Sequence, residues 1–167
     1  MHKLKNFTTL LLALAMTAAA CLAQDNDKSE PPKFYRLDFV VKELEGAKTV
    51  NSRSYYTIGS SHGKGEIRTG SRVPFESSPG QWQQIDVGTN FDCGPVKETQ
   101  AGVWLYVIAE VSSLLDEAAA SAHPTTRNNK WLSEVTLPVG KATAIFSSDD
   151  VASKRQMVVE LTATPIK

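Results

Sequence analysis

Several short segments of the chain alternate between apolar and polar residues. From Phe34 onward, an apolar side chain stands close to every second position as far as Val41, and the same period of two recurs in residues 81–87 and 156–164. Alternation at this period is typical of a β-strand with one buried and one solvated face. The pattern therefore predicts a strand in each of these three segments.

Residues 103–111, with the sequence VWLYVIAEV, form the most apolar stretch outside the N-terminal region. Their short length suits a strand, and their aromatic and β-branched content favours a sheet. Polar alternation is almost absent before Glu110. We therefore expect a strand that is covered on both faces, either by a second layer or by a neighbouring subunit.

Turn-forming residues separate the apolar segments at short intervals, and further strands are predicted between them. Residues 113–122 are alanine-rich, and we expect them to form a short helix or loop that Pro124 stops. These signals predict an all-β fold, an antiparallel β-sandwich or sheet of about eight strands. The turns lie at residues 44–48, 59–65, 77–80, 94–95 and 100–102, and the further strands at residues 50–58, 66–69, 131–137 and 142–147.

The N-terminal region has the features of an export signal. A basic start is followed by a short apolar run, residues 7–20, and then by small residues. This order is typical of a secretory signal peptide, which we place at residues 1–23. Cleavage after Ala23 would release a soluble protein, whereas lipidation at Cys21 would anchor it to a membrane. Both alternatives remain open.

Composition changes again after the signal peptide. Residues 24–33 are polar and contain two prolines, so they are predicted to be a flexible leader before a single β-domain at residues 34–167. The chain carries 18 basic and 18 acidic residues, without the basic excess that nucleic-acid binding requires. We expect no nucleic-acid partner. Cys93 would be the single cysteine after cleavage, and we expect it to be buried.

The sequence offers little material for a catalytic centre. A nucleophilic site needs a serine or cysteine beside a base, and only His62 and His123 follow the signal peptide. Zinc would need three or four histidine or cysteine ligands at set spacing. We therefore predict no catalytic, cofactor-binding or metal-binding residues, and no enzyme activity. A hydrolase that uses Cys93 or a serine with one of the histidines is the weakest alternative.

Three other features invite a functional interpretation. Asp149 and Asp150 resemble part of a calcium loop, but their spacing favours a turn in which aspartate caps the backbone. Residues 59–65 (GSSHGKG) lack the order of a phosphate loop. The aromatic residues suit a sugar-binding platform, although aromatics in strands more often pack in a core or an interface. The aromatic residues concerned are Tyr55, Tyr56, Trp82, Trp104, Tyr106 and Trp131.

From Glu66 onward, the order of motifs resembles the C-terminal β-domain of the bacterial secretins, outer-membrane proteins of type II and III secretion and pilus systems. The resemblance covers about 100 residues. It is carried by GSRVPF at residues 70–75, QIDVG at 84–88, GVWL at 102–105 with EVSS at 110–113, Thr126-Arg127, the glycine-centred hairpin at 135–145 and the closing strand at 157–166.

The chain also departs from the family pattern. Phe146-Ser147-Ser148 stands where the family has a glycine pair, and the gate segment that should follow is missing. No pore or gate residue is therefore assigned. The resemblance implies a shortened secretin-like domain that acts by assembly or protein contacts through its sheet edges, with itself or another envelope protein, in the periplasm or at the outer membrane. A stand-alone β-sandwich module that binds a glycan or small ligand is the alternative.

Overall fold

The computed structural model describes residues 30–114, 124–150 and 153–166, and the described residues from Pro32 onward form one compact unit. All regular structure in the described residues is β-strand, as predicted. These residues form nine strands, where about eight were expected. They are β1 (Phe34–Glu45), β2 (Lys48–Ser60), β3 (Gly65–Ser78), β4 (Gln81–Cys93), β5 (Lys97–Thr99), β6 (Gly102–Leu114), β7 (Thr126–Leu137), β8 (Thr143–Asp149) and β9 (Arg155–Ile166).

The strands form two antiparallel sheets. The first sheet has the order β2-β1-β9-β8, and the second has the order β3-β4-β6 with β7 on the far edge of β6. The short strand β5 continues along the edge of β6 that β4 occupies, because it pairs with the start of β6 whereas β4 pairs further along. The expected sandwich architecture is therefore present.

Two hairpin turns lie where turn residues predict them. Gly46 follows β1 with a φ of 60°, and Gly80 precedes β4 with a φ of 76°. Both angles lie in the left-handed region, which glycine adopts without a steric penalty. The turn predicted at residues 44–48 therefore contains only Gly46 and Ala47, because β1 ends at Glu45 and β2 begins at Lys48.

The strands β3 and β4 are longer than the sequence pattern suggests. A short extended piece was expected at residues 66–69, but β3 continues to Ser78 and pairs with β4 along almost its whole length. The reason is that much of this hairpin is solvated on one face and only partly covered on the other, so the apolar alternation that marks a strand is weak. Similarly, β2 continues to Ser60, which shortens the predicted glycine loop to residues 61–64.

The predicted helix or loop at residues 113–122 lies mostly outside the described residues. Ser113 and Leu114 belong to the end of β6, which corrects the start of that prediction, while residues 115–122 are not described. No helix among the described residues has the length and hydrophobicity to cross a membrane.

The core lies between the two sheets. Phe39 of β1 and Phe91 of β4 stack across it, with ring centroids 4.3 Å apart and an interplanar angle of 17°. Alternate residues of the central strands surround this pair, as the period of two predicts. The fully or almost fully buried apolar residues are Tyr35, Leu37, Phe39, Val41, Phe91, Cys93, Val96, Val103, Leu105, Val107, Ala109, Val111, Leu137, Met157, Val159, Leu161 and Ala163.

The apolar strand β6 is fully buried on one face only. Val103, Leu105 and Val107 point into the core, whereas the residues between them are half-buried on the outer face of the second sheet. The expectation that this strand is covered on both faces is therefore wrong for the chain by itself. Continuous hydrophobicity in the sequence here reflects a core face and a partly exposed apolar face, rather than two full layers.

Candidate interaction surface

The outer face of β6 is covered at one end and open in its middle. Lys97 lies over the Trp104 ring, with its Nζ atom 4.9 Å from the ring centroid. The ring of Tyr106 packs so closely on Gly94 that a Cβ atom added there would lie 2.0 Å from it. Beyond these contacts, Ile108 pairs with Leu132 of β7, which is 63% exposed. The segment from Gly94 to Lys97 therefore shields one end of an apolar stripe and leaves the rest accessible.

Part of the β3–β4 hairpin extends beyond the second sheet. Only Thr89–Cys93 of β4 pairs with β6, so residues 81–88 of β4 pair with β3 alone. We call residues 70–78 of β3 together with residues 81–88 of β4 the ribbon. Where the ribbon leaves the sheet, the Gly88 backbone N–H donates a 2.9 Å hydrogen bond to Ser112 Oγ of β6. This side chain takes the place of the next backbone pairing.

The ribbon has an apolar and a polar face. Val73 lies opposite Ile85, and Phe75 lies opposite Gln83, on the face that continues the core side of β4. Arg72 and Asp86 are paired on the other face, with Arg72 Nε 3.2 Å from Asp86 Oδ1. Val73, Phe75, Ile85 and Val87 are all partly exposed. The ribbon is therefore amphipathic.

Two open clefts flank the base of the ribbon, with volumes of about 420 and 450 Å³. Both are lined by Gly70, Gly88 and Ser112, so they lie on either side of the point where β4 separates from β6. The first also contains Asp86 and the second also contains Tyr55. These clefts make the neighbouring backbone of β4 accessible.

The candidate nucleophile and base are in different environments. Cys93 is buried, and burial raises the pKa of its thiol to about 12, so the thiolate needed for catalysis is not populated at neutral pH. His62 lies in the exposed loop after β2, with its Nδ1 atom 3.1 Å from Ser61 Oγ. The prediction that Cys93 is buried is confirmed. His123 lies outside the described residues.

The acidic pair lies where β8 turns into β9. Asp149 accepts a hydrogen bond from Gln156, and Asp150 forms an ion pair with Arg127 at 2.5 Å. The Asp150 backbone N–H also bonds to the Arg155 carbonyl oxygen across the turn. The described part of the chain holds no group of three or more metal-ligating side chains. The two aspartates therefore belong to a turn, as expected. In addition to its backbone hydrogen bond within the turn, Asp150 pairs with the guanidinium of Arg127.

The aromatic residues do not form a common platform. Trp131 stacks on Phe146 with ring centroids 4.0 Å apart, and its edge meets Phe91, so it belongs to the rim of the core. Trp82 is 67% exposed at the far end of the ribbon, and Tyr56 lies under the Arg36 guanidinium on the first sheet. Of the six aromatic residues considered for a sugar-binding platform, only Trp82 and Tyr56 are exposed, and they are on different sheets.

One charged cluster was not anticipated from the sequence. Glu98 of β5 accepts hydrogen bonds from Tyr35 Oη and, at 2.6 Å, from Lys33 Nζ. The two donors lie more than sixty residues away along the chain, so local patterns contain no signal for the contact. The cluster fixes β5 over the end of β1. Burial and the hydrogen bond to Glu98 raise the pKa of Tyr35 to about 12.

The chain matches no protein-family model and no curated protein. Solved structures give a clear fold match. The type II secretin GspD of enteropathogenic Escherichia coli superposes with a TM-score of 0.54 at 9% identity, over 92% of this chain and 74% of that one. The chain has a secretin-like fold. The type II secretion system secretin GspD of E. coli K12 superposes with a TM-score of 0.52 at 11% identity, over 93% of this chain and 54% of that one.

The secretin-like fold confirms the resemblance suggested by the motif order. Three residues of these motifs lie where the ribbon leaves the sheet. Gly70 pairs with Gly88 at the base of the ribbon, and Ser112 of β6 accepts a hydrogen bond from Gly88 of β4. The chain spans about half the length of the second GspD structure. At these identities the similarity concerns the fold, and the role of the domain has to be argued from its surfaces.

Proposed function

We propose that this protein is a non-enzymatic, secretin-like domain of the cell envelope that acts through protein contacts, with copies of itself or with another envelope protein. The observation that carries the proposal is the partly exposed outer face of β6. A central strand with apolar residues on both faces normally lies between two layers, yet Leu132 beside it is 63% exposed. Exposed apolar patches of this kind mark interaction sites.

The fold similarity and the candidate chemistry both support a contact role. The similar structures are secretins, described as components of secretion systems. In this chain, the thiol of Cys93 is buried and the imidazole of His62 is bonded to a neighbouring serine. These two candidate catalytic groups therefore give less support to an enzyme than the partly exposed apolar face of β6 gives to a contact role.

Location follows from the N-terminal pattern, and it is part of the same proposal. We infer that residues 1–23 are a signal peptide, that residues 24–33 are a leader, and that the β-domain of residues 34–167 acts in the periplasm or at the outer membrane. Lipidation at Cys21 would hold the domain at a membrane, and cleavage after Ala23 would leave it free. The mass of the mature N terminus distinguishes these two forms.

The contact role is tested by light scattering and co-purification. The purified chain is run on size-exclusion chromatography with light scattering over a concentration series, and envelope extracts are cross-linked and searched for a retained partner. We expect a mass above that of the monomer or a specific partner. Leu132→Arg should reduce either signal, because it places a charge in the apolar stripe.

The matched control is Val139→Arg, which alters another exposed apolar residue in the turn after β7. It should leave assembly and partner capture unchanged. A monomer at all concentrations, together with no retained envelope protein, would show that the proposed contact role is wrong.

A further inference from the structure

Four exposed apolar side chains lie together at one end of the first sheet. Phe34, Ile58 and Ile166 are each about half exposed, and Tyr56 is 62% exposed. Phe34 lies opposite Ile166, whereas Ile58 lies opposite Arg36, the next outward residue of β1. Side chains that are opposite or diagonal to each other on one face of a sheet lie within reach of each other when they are long. We call these four residues the apolar patch.

The patch has a polar border on the same strands. The Arg36 guanidinium lies 4.4 Å from the centroid of the Tyr56 ring, and Arg36 Nε donates a 2.8 Å hydrogen bond to Asp38 Oδ1. A ring with a polar end, next to an arginine with a long apolar stem, is typical of surfaces that lie between lipid headgroups and acyl chains. The composition of the patch therefore suits the boundary of a bilayer.

The charges near the patch are compatible with anionic headgroups. The Asp38 carboxylate is paired with Arg36, and Glu98 at the same end of the domain is paired with Lys33 at 2.6 Å. Lys64, in the turn after β2, is exposed. Paired carboxylates repel an anionic surface only weakly, whereas a lysine close to such a surface is attracted to it.

The described residues next to the two internal gaps lie at the other end of the domain. Thr126 and Asp150 adjoin these gaps, and they line one cleft together with Glu43 of β1. Glu43 lies about 30 Å from Phe34 along the strand. Residues 115–125 have to return to β7, so they reach at most about 18 Å from it, and the second gap has only two residues, 151 and 152. Neither segment is therefore long enough to reach the patch.

The leader is covalently joined to the patch, because β1 begins at Phe34. After removal of the signal peptide, residues 24–29 (QDNDKS) are all polar or charged and offer no apolar side chain to cover it. If Cys21 carries lipid, residues 22–33 span at most about 40 Å. An anchored chain would thus keep the patch close to the bilayer at a high effective concentration, where a weak surface affinity is sufficient.

We propose that the apolar patch is a membrane-contact site, which lies on the bilayer surface with its polar border among the headgroups. The inference rests on the envelope location in the proposed function, and it adds the surface that faces the membrane. The outer face of β6 belongs to the other sheet, so it stays free for protein contacts.

A fluorescent label at two positions of the same strand measures the contact. The chain is exported, processed and purified with Cys21→Ser, so that no lipid anchor contributes, and Cys93 stays buried. Ile58→Cys carries a nitrobenzoxadiazole label in the patch, and Val50→Cys carries it about 26 Å away along β2. Vesicles of equal parts of phosphatidylethanolamine and phosphatidylglycerol should shift the emission at position 58 to shorter wavelength, and leave the emission at position 50 unchanged.

The two labelled positions also define the result that would contradict the inference. An equal shift at both positions would indicate adsorption without a preferred surface. No shift at position 58, even at the highest lipid concentration, would show that the patch does not contact the bilayer. Either result would overturn the assignment.

Charged substitutions test the same surface without a label. Ile58→Asp should lower the partition coefficient into these vesicles about fivefold or more, because binding depends on the apolar area that is buried. The matched control is Val50→Asp, which places the same charge on another exposed apolar residue of β2 and should bind like wild type. Urea unfolding establishes that both variants are folded. Equal partition of both variants and wild type would count against the patch.

A protein partner on the patch is the competing occupant. Light scattering and partner capture without lipid distinguish it, since Ile58→Asp should leave both unchanged if the patch contacts a bilayer. A loss of self-association or of a retained envelope protein in Ile58→Asp would make the patch a protein contact and overturn the membrane assignment.

The outcomes also separate this inference from the proposed function. If Leu132→Arg reduces assembly or partner capture while the label at position 58 does not respond to vesicles, the membrane contact is wrong and the contact role stands. If the label responds but the chain is monomeric and retains no partner, the contact role is wrong and the membrane contact stands. A chain that shows neither behaviour contradicts both.

Discussion

Gly70 and Gly88 face each other across the β3–β4 hairpin at the point where β4 leaves β6. Their backbones approach so closely that a Cβ atom on Gly88 would lie 2.1 Å from the Thr69 carbonyl oxygen, and one on Gly70 would lie 2.5 Å from that of Val87. No other residue type fits without moving the backbone. The pair thus sets the path by which the ribbon departs from the sheet.

Gly88→Ala should therefore destabilise the base of the ribbon. The added methyl group meets backbone atoms, which cannot rotate away as a side chain would, so a strand has to shift. Overpacking of this kind costs about 1–3 kcal/mol. Urea unfolding of the variant measures the loss in the free energy of unfolding.

The control for this substitution is Ser71→Ala, which removes a hydroxyl from an exposed position of the same ribbon. It should change the free energy of unfolding by less than about 0.5 kcal/mol. A Gly88→Ala protein as stable as wild type would mean that the hairpin relaxes easily at its base and that the close approach is not a constraint.

The stack of Phe39 on Phe91 should contribute strongly to the association of the two sheets. Both side chains are fully buried, and truncation of a buried phenylalanine to alanine costs about 3–5 kcal/mol. We expect Phe39→Ala and Phe91→Ala each to lower the free energy of unfolding by this amount. A Phe→Leu pair at the same positions provides variants that remain folded.

A double-mutant cycle with the two leucine substitutions isolates the contact between the rings. We expect a coupling energy of about 0.5–1.5 kcal/mol, because aromatic pairs gain this much beyond the area they bury. Additive effects within experimental error would contradict a specific stacking contribution. Phe39→Leu combined with Leu137→Val, a substitution on another strand, serves as the comparison.

Residue alternation was sufficient to predict strands such as β1 and β9, because each core-facing residue there is followed by an outward one. The strand β6 was predicted instead from its length and its aromatic and β-branched content. The length of β3 was not predictable in this way. Its residues from Gly70 onward lie in the ribbon, outside the sandwich. No side chain there is fully buried, so apolar and polar residues do not alternate clearly in the sequence. Strand length there depends on pairing with β4.

The candidate surface was only partly predictable for a related reason. The sequence of β6 indicates two apolar faces, but it contains no information on whether a second layer covers the outer one. Ser112 illustrates a further limit: its hydroxyl bonds to the Gly88 backbone, 24 residues away, and nothing in the local motif indicates that contact. Such long-range side-chain contacts require coordinates.

The cluster around Glu98 should make the attachment of β5 sensitive to acid. Hydrogen bonds from Lys33 and then from Tyr35 lower the pKa of the Glu98 carboxyl below its ordinary value of about 4.3. A lowered folded-state pKa stabilises the fold above the unfolded value, and this contribution is lost as the pH falls through the folded pKa. Attachment of β5 should thus weaken below about pH 4.

Amide hydrogen exchange across β5 and the start of β6 measures this attachment. In wild type, the protection of these amides should fall on acidification, after correction for the slower intrinsic exchange at low pH. Glu98→Gln should show weaker protection already at neutral pH and less acid dependence. Glu66→Gln, an exposed carboxylate on β3, is the control. Identical exchange in wild type and Glu98→Gln at every pH would contradict a role for this cluster.

Cys93 should make the protein less stable at alkaline pH. Burial, followed by the charge of Asp92, raises the pKa of its thiol to about 12, whereas the unfolded chain has a value of about 8.5. A raised folded-state pKa stabilises the fold fully below the unfolded value, and the contribution is lost as the pH rises toward the folded value. Between pH 9 and 10 the free energy of unfolding should fall by up to about 1.4 kcal/mol.

Urea unfolding at pH 7, 8, 9 and 10 tests this dependence. Tyr35 also begins to titrate in the unfolded chain near pH 10, so the contribution of Cys93 is taken from the comparison with Cys93→Ala. Cys93→Ala should be less stable than wild type at pH 7 because it leaves a small cavity, but its stability should fall less steeply above pH 8.5. Parallel slopes for the two proteins would show that the thiol does not titrate differently on unfolding. A thiol reagent should label Cys93 at pH 8 only as fast as the protein opens, since the folded chain protects it from solvent.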